Sequence, residues 1–151
     1  MFFLKSDELR DHIDTIIHQE TQQHATHFDL TVDKIYTFTK AGALDFGGSE
    51  YKKAETSLVE PKKDQGDDYG WWNLPAGHYQ AKMNEQIKEV EDTVALLGLH
   101  EHAQSAGIIG NATYVSLDET ANEITFNFTT PEPGCNIKEN ARFAVLYLLA
   151  S

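Results

Sequence analysis

The chain has 151 residues, a single cysteine and a formal net charge of −12, from 24 acidic and 12 basic residues. The length predicts one domain with a core of its own. The charge argues against a nucleic-acid partner, because binding that backbone requires Lys and Arg to neutralise phosphates. A single cysteine, Cys135, excludes an internal disulfide and suits a reducing compartment, the cytoplasm. No run of about 18 apolar residues occurs, so no membrane partner is expected. Met-Phe-Phe-Leu-Lys is followed at once by the polar Ser-Asp-Glu-Leu-Arg, so no signal peptide is expected.

The N-terminal residues predict a helix. Ser6 suits an N-cap, and apolar residues then recur at helical spacing up to Ile17, so a helix is expected over residues 7–22. Its polar face carries histidines, and His24 and His27 follow it. Histidines three or four residues apart can ligate a metal, but a solvated polar face is the favoured interpretation. Residues 1–27 are therefore predicted to form an N-terminal helix and linker.

Strands are predicted next. Residues 28–39 alternate between apolar and polar side chains, which is typical of an amphipathic strand. The glycines of residues 42–48 lack the spacing of a phosphate-binding loop and predict a turn or bulge. The charge-dense residues 50–70 predict a long loop or arm. Trp71 and Trp72 should point to opposite faces, with at least one of them in the core and the other free for a subunit contact or a ligand base.

Residues 79–87 alternate strictly and predict a half-buried strand, but Glu85 falls on its apolar face. A carboxylate is disfavoured there unless it is paired or has a chemical role. The alternative is that the strand frays or bulges and lets Glu85 reach solvent. A possible site at this strand and at the following His100, Glu101 and His102 is therefore expected.

The C-terminal half predicts further strands at residues 108–117, 123–130 and 141–149. In the second of these, Ile124, Phe126 and Phe128 should face inward. The last is apolar on both faces, as expected for a strand between two sheets or at an oligomer centre. Together the segments predict an all-β barrel or sandwich, with residues 28–151 as the β domain of a single-domain chain of residues 1–151.

The order Leu-Pro-x-Gly-x-Tyr-x-Ala at residues 74–81, followed by Glu85, Ile87 and Gly107, resembles the dUTPase and dCTP deaminase superfamily. Asp29-Leu30 stands where that family often has an early Asp-Leu. The resemblance, over about residues 28–149, implies a distorted jelly roll or β-barrel of the dUTPase type. It also implies a homotrimer with active sites between subunits.

The same resemblance implies the site residues. The family's phosphate-binding Arg-Ser-Ser falls on His100, Glu101 and His102, which do not match it, and Ser105 follows in the same motif. By this resemblance all four are candidate ligand-binding residues. The family's carboxylate that activates water in dUTP hydrolysis has Asp118 as its nearest candidate. The motif Glu falls on Glu85, and both are taken as candidate catalytic residues. The resemblance further implies Mg²⁺ held by the triphosphate, and a pyrimidine held by backbone groups around Tyr114, which makes Tyr114 a candidate ligand-binding residue.

The strand that carries the dCTP deaminase Glu reads Thr-Phe-Asn-Phe here, with Asn127 in place of Glu. A neutral amide cannot act as a general base. If the chain is an enzyme, a dUTP diphosphatase-like hydrolase is therefore predicted rather than a dCTP deaminase. The alternative is a non-catalytic trimeric nucleotide-binding or regulatory protein of the same fold.

His100 and His102 leave further alternatives open. In extended chain both would point to one side, where they could bind a metal with Glu85 or Asp118, or donate to a phosphate; a surface turn is the favoured alternative. An unrelated cupin-like metal site would need a later histidine, and none follows His102. If the resemblance holds, the residues expected to converge in one inter-subunit cleft are Glu85, His100, Glu101, His102 and Asp118.

Overall fold

The protein is described by a computed structural model over residues 1–88, 91–115 and 123–151. Within these ranges it consists mostly of antiparallel strands, together with short helices. The helices are α1 (Ser6–Arg10), α2 (Gln19–Gln22) and α3 (Glu101–Ser105). The strands are β1 (Phe2–Phe3), β2 (Ile13–Asp14), β3 (Phe28–Lys40), β4 (Glu55–Leu58), β5 (Trp71–Leu74), β6 (Gly77–Ile87), β7 (Thr93–Leu99), β8 (Thr113–Val115), β9 (Glu123–Thr130), β10 (Cys135–Lys138) and β11 (Arg142–Ala150). The all-β prediction is confirmed.

The main sheet has the order β2-β6-β3-β11-β7-β8, with β1 on β11, β4 on β3 and β9 on β6, and β5 pairs with β10 in a separate ribbon. The 13-residue β3 joins the two halves of the main sheet: it pairs with β11 up to Thr31 and with β6 from Val32 onwards. The register shifts between Val32 and Lys34 and between Arg142 and Ala144. Bulges of this kind increase the local twist, so the sheet curls around its apolar side.

The core fills the concave side of this curled sheet. Ile124, Phe126 and Phe128 of β9 are at most 1% exposed, which confirms their predicted inward orientation. Phe143 of β11 packs edge-on against Phe128, with ring centroids 4.9 Å apart. Edge-to-face pairs of this type add to the free energy of apolar burial, so β9 and β11 hold opposite sides of the core together.

The N-terminal segment differs from the prediction. The expected helix over residues 7–22 is replaced by α1, β2 and α2. Ile13 pairs with Ile87 at the edge of β6, and Thr15 adopts φ +60°, which a continuous helix does not allow. The β-branched residues from Ile13 to Ile17 favour extended backbone, and pairing with β6 outweighs their helical spacing.

The tryptophan pair behaves as predicted. Trp72 is 2% exposed and its Nε1 donates a hydrogen bond to the carbonyl of Val59 at 2.8 Å. Trp71 is 44% exposed and lies under Lys138, whose Nζ is 5.7 Å from the ring centroid. The predicted arm over residues 50–70 is loop except for β4, which pairs with the end of β3.

The strand β11 is covered unequally on its two faces. Its inner side chains, including Phe143 and Leu146, are buried, whereas Val145, Tyr147 and Leu149 on the outer face are half-buried. Beside them on β7, Leu96 is 37% exposed. The sequence predicted that this strand is apolar on both faces, and its outer apolar face is only partly covered by the rest of the chain. Within the described ranges, no helix has the length and apolar character needed to cross a membrane.

Candidate functional site

A cavity of about 500 Å³ lies on the outer face of the sheet, where β6 pairs with β9 and the segment of residues 109–114 runs alongside. Backbone hydrogen bonds in both directions between Ile109 and Thr129, at 2.9 and 2.8 Å, hold that segment against β9. The volume lies within the usual range for small-molecule sites. The polar residues that line it are His78, Gln80, Asn111, Thr113, Tyr114, Thr125, Asn127 and Thr129.

The polar lining of the cavity follows from strand alternation. The odd-numbered side chains of β6 from Tyr79 to Ile87 face the core, so its even-numbered ones face outward. Gln80 lies opposite Asn127 in the register and donates a hydrogen bond to its Oδ1 at 3.1 Å. Tyr114 is 73% exposed at the rim. The cavity therefore offers amide, hydroxyl and aromatic groups, which can bind a polar, flat ligand.

A glycine allows the segment of residues 109–114 to approach the sheet closely. A Cβ atom added to Gly110 would lie 2.5 Å from Cε1 of Phe126 and 3.4 Å from Cδ1 of Leu99. A contact of 2.5 Å is well inside van der Waals separation, so any larger residue here would push the segment outward. The shape of the cavity thus depends on Gly110.

Two shallower hollows adjoin the cavity, and both share Asn127 with it. One reaches Lys40, and the other reaches Lys52 and Lys53. Lys40 is paired with Glu55 at 3.4 Å. In a chain of net charge −12, Lys52 and Lys53 in the lining of a neighbouring hollow supply local positive charge where a phosphate could bind.

Glu85 lies on the opposite face of β6 from the cavity and is fully buried. Its Oε1 accepts a hydrogen bond from the backbone N–H of Thr31 at 2.7 Å. Its Oε2 accepts from the Thr31 hydroxyl at 2.6 Å and from Nε2 of Gln22 at 2.8 Å. Burial raises the pKa of Glu85, although these hydrogen bonds oppose the rise. Glu85 is therefore paired, as a carboxylate on the apolar face of a strand requires, and its partners are Thr31 and Gln22.

A second polar cluster, the Asp29 cluster, consists of Asp29 with His24, His27, His100 and Arg142. Asp29 is fully buried in β3. Its Oδ2 lies 3.0 Å from Nε2 of His24, 3.4 Å from Nε2 of His100 and 3.2 Å from a guanidinium nitrogen of Arg142. Its Oδ1 lies 3.8 Å from Nε2 of His27. The sequence placed Asp29 on the polar side of its strand and did not indicate this cluster.

His100 and His102, the predicted histidine pair, lie on either side of the start of α3 and point in different directions. His100 precedes α3, and its Nδ1 accepts a hydrogen bond from the backbone N–H of His102 at 3.0 Å. His100 is 5% exposed, and burial lowers its pKa. His102, Glu101 and Ser105 are exposed. Helical backbone turns His100 inward and His102 outward, whereas extended backbone would have aligned them.

The predicted site residues therefore occupy different places. Glu85 is in the sheet interior, His100 is in the Asp29 cluster, and Tyr114 is at the cavity rim. Asp118 lies outside the described residues. Within this single chain, Glu85 is enclosed by Thr31 and Gln22, whereas Glu101 and His102 face outward on α3. Convergence in a cleft between subunits stays a prediction.

Comparison with known proteins identifies relatives, although no protein-family model matches the chain. The chain is 36% identical over 94 residues to the probable deoxyuridine 5′-triphosphate nucleotidohydrolase of Methanosarcina mazei, covering 58% of this chain and 52% of that protein. It is 32% identical over 92 residues to the protein of the same name from Archaeoglobus fulgidus, covering 61% and 48%. The structure resembles 2′-deoxycytidine 5′-triphosphate deaminase from Agrobacterium tumefaciens with a TM-score of 0.69 and 10% identity, covering 99% of this chain and 48% of that chain.

In sequence the chain is similar to proteins named as probable deoxyuridine 5′-triphosphate nucleotidohydrolases, and in fold to a 2′-deoxycytidine 5′-triphosphate deaminase, in agreement with the resemblance found in the sequence. The superfamily fold predicted from the sequence is thereby confirmed. The chain spans about half the length of the curated relatives it matches. Gly107, aligned with the superfamily's motif glycine, has φ +94°, a conformation that other residues rarely adopt.

The resemblance found in the sequence assigns motif positions that can be compared with the cavity. Asn127, which that resemblance places where the dCTP deaminase strand carries Glu, lies in the wall of the cavity. The aligned Arg-Ser-Ser positions, by contrast, begin α3 beside the Asp29 cluster. The cavity with Asn127 and Tyr114 is therefore the candidate functional site.

Proposed function

We propose that this protein binds a pyrimidine deoxynucleotide in the cavity between β6, β9 and residues 109–114, and hydrolyses it as a dUTP diphosphatase-like enzyme with a divergent site. The observation that carries the proposal is the cavity itself, about 500 Å³ in volume with Asn127 in its wall. Its amide and hydroxyl groups can form hydrogen bonds with a pyrimidine, and the exposed ring of Tyr114 can stack on it.

The charge distribution supports one orientation of the nucleotide. The cavity has neutral polar lining, while the adjoining hollow beyond Asn127 reaches Lys52 and Lys53. Ammonium groups bind phosphates through charge-assisted hydrogen bonds. We therefore place the base and sugar in the cavity and direct the phosphates toward these lysines.

Hydrolysis would transfer the nucleotidyl phosphorus to water and release pyrophosphate. Asp118 is our candidate for the carboxylate that takes the proton from that water. Glu85 is not, because it is buried on the other face of β6 among donors that already occupy its oxygens. Mg²⁺ would bring Lewis-acid charge stabilisation. The described cavity lining includes amide and hydroxyl oxygens but no carboxylate, so the nucleotide phosphates would have to hold most of the ion's coordination shell.

A non-catalytic nucleotide-binding or regulatory protein is the second candidate function. It is favoured by the same absence of a carboxylate among the described residues lining the cavity. Ammonia release from dCTP is not expected under either function, because the Asn127 amide cannot accept the proton of an attacking water.

We also propose a homotrimer, with the half-buried outer face of β11 and the exposed Leu96 covered by other subunits. Strand faces with this much apolar surface are stabilised when a second sheet or subunit covers them. The proposed location is the cytoplasm, where free deoxynucleotides would be available as ligands.

The deciding experiment measures binding and turnover separately. The chain is incubated with each deoxynucleoside triphosphate and Mg²⁺, and pyrophosphate and ammonia are quantified in parallel; binding of a non-hydrolysable dUTP analogue is measured by calorimetry. Pyrophosphate release specific to dUTP supports the enzyme. Binding of the analogue without release supports the non-catalytic alternative, and the absence of both contradicts the proposal.

A further inference from the structure

We propose that His24, His27 and Asp29 form a binding site for one divalent transition-metal ion of the Zn²⁺ class, separate from the nucleotide cavity. Each of the three residues offers one ligand atom, and these three atoms lie within 4.8 Å of one another. An ion bound here would link the turn between α2 and β3, which carries His24 and His27, to Asp29 at the buried start of β3. It does not depend on the proposed nucleotide chemistry.

The backbone brings the two histidines together. Gln23 and Phe28 form an isolated antiparallel bridge, and the N–H of His24 donates to the carbonyl of His27 at 3.1 Å, so residues 24–27 form a closed turn. The two imidazole rings stack at a centroid distance of 4.4 Å with an interplanar angle of 14°. Each Nε2 lies near the Asp29 carboxylate. Both rings are thus oriented before any ion binds, which lowers the entropic cost of binding.

An unpartnered carboxylate oxygen points to a ligand at this site. Oδ1 of Asp29 is buried and has no hydrogen-bond partner among residues 1–88, 91–115 and 123–151. A buried polar atom without a partner is costly. The nearest group recorded for it, Nε2 of His27 at 3.8 Å, is too far for a hydrogen bond. Two ligand atoms of a tetrahedral ion with bonds of about 2.1 Å lie roughly 3.4 Å apart. The 3.8 Å between Nε2 of His27 and Oδ1 of Asp29 is close to that separation, so the two atoms can bind one metal ion.

The other oxygen of the carboxylate is held in place. Oδ2 of Asp29 lies 3.0 Å from Nε2 of His24, 3.2 Å from the Arg142 guanidinium and 3.4 Å from Nε2 of His100. When His24 binds the ion, its contact with Oδ2 is replaced and the contacts of Arg142 and His100 remain. Because Nδ1 of His100 accepts from the backbone N–H of His102, a neutral His100 carries its hydrogen on Nε2, the nitrogen nearer to Oδ2. Partners of this kind orient a metal-binding carboxylate. Arg142 and His100 are therefore positioning residues, and Oδ1 remains for the ion.

Ligand type and exposure decide the class of ion. Two imidazole nitrogens and one carboxylate oxygen suit Zn²⁺, Ni²⁺ or Cu²⁺, whereas Mg²⁺ prefers oxygen ligands alone. The side chains of His24 and His27 are 39% and 30% exposed, against 1% for Asp29. The ion can therefore reach the site from solvent, and water can complete its coordination.

The test uses the full, tag-free chain after removal of metal with a chelator. Equilibrium dialysis against ZnCl₂ should give one ion per chain, and Co²⁺ should give the visible absorption of a tetrahedral site. Replacing both ligands, His24→Gln with His27→Gln, should weaken Zn²⁺ binding by roughly 100-fold or more. The matched control, His12→Gln with His102→Gln, removes two histidines outside the site and should bind Zn²⁺ as the unaltered chain does.

Thermal unfolding provides a second measurement. Zn²⁺ should raise the melting temperature of the unaltered chain and of the control, because an ion that binds the folded state stabilises it by mass action. It should not raise that of the His24/His27 variant. Circular dichroism without metal checks that this variant is folded. Unchanged Zn²⁺ affinity in the folded variant, or the absence of stoichiometric binding to the unaltered chain, would overturn the proposal.

Discussion

Glu85 and Thr31 are joined by two short hydrogen bonds, one from the Thr31 backbone N–H at 2.7 Å and one from its hydroxyl at 2.6 Å. The two residues are on neighbouring strands, β6 and β3, at the point where β3 leaves β11 and continues beside β6. By accepting hydrogen bonds from the Thr31 N–H and hydroxyl, the Glu85 carboxylate holds β3 against β6 where β3 changes its partner strand. Glu85 is thus a structural residue of the sheet.

Replacing Glu85 by Ala should destabilise the fold. The change leaves the buried donors of Thr31 and Gln22 without an acceptor and creates a cavity, so the free energy of unfolding should fall by about 2–5 kcal/mol. Urea denaturation measures the loss. The exposed Glu20→Ala is a suitable control and should change little. A loss below about 0.5 kcal/mol for Glu85→Ala would contradict the structural role.

The raised pKa of Glu85 predicts a direction for the pH dependence of stability. A carboxyl group whose pKa is higher in the folded chain binds more protons there, so its contribution to stability falls as pH rises from its ordinary value of 4.5 through the raised value. Glu85→Gln removes this titration. The stability advantage of the unaltered chain over Glu85→Gln should therefore shrink as pH rises through that window, as measured by denaturation at several pH values. A constant or growing advantage would contradict the raised pKa.

Gly110→Ala should reduce nucleotide binding by disturbing the cavity. Its Cβ would lie 2.5 Å from Phe126, so residues 109–114 must shift or the core must strain, at a cost of about 1–3 kcal/mol in stability. Calorimetry with the dUTP analogue should show weaker binding. Gly47→Ala is the matched control, because a Cβ there meets nothing within 4 Å. Equal affinity for both variants would argue against the cavity as the nucleotide site.

Tyr114→Ala should weaken nucleotide binding without destabilising the fold. The ring is 73% exposed at the cavity rim, and loss of stacking on a base costs about 1–3 kcal/mol. Tyr69→Ala removes another exposed tyrosine, 49% exposed and outside the cavity lining, and serves as the control. Identical affinities of the two variants in the same titration would show that Tyr114 does not contact the ligand.

Leu96→Lys should dissociate the proposed trimer. Leu96 is 37% exposed beside the half-buried Tyr147 of β11, and a lysine buried between subunits would lose its hydration without a partner. Sedimentation equilibrium at micromolar concentration should show trimer for the unaltered chain and monomer for the variant. Ile17→Lys, at a residue 54% exposed on another part of the surface, should remain trimeric. A monomeric unaltered chain would refute this assembly.

Strand periodicity carried most of the fold prediction. Alternation over residues 79–87 and 123–130 correctly indicated the side chains that face the core, including Phe126, Phe128 and every second residue of β6. It also correctly placed Glu85 on the buried face. Adjacent Trp71 and Trp72 were correctly predicted to diverge. These features depend on local backbone geometry, in which successive side chains point to opposite faces, so the sequence alone determines them.

The partners of the buried polar groups were decided only by the tertiary structure. Glu85 is bound by Thr31, 54 residues earlier, and by Gln22, 63 residues earlier, and Asp29 meets Arg142 113 residues later. Local periodicity carries no information about which distant side chain lies opposite. The same limit explains the N-terminal segment, where pairing of Ile13 with Ile87 replaced a helix that the spacing of its apolar residues had indicated. Contacts across the curled sheet therefore decided the sites, because they depend on how strands distant in sequence are brought together.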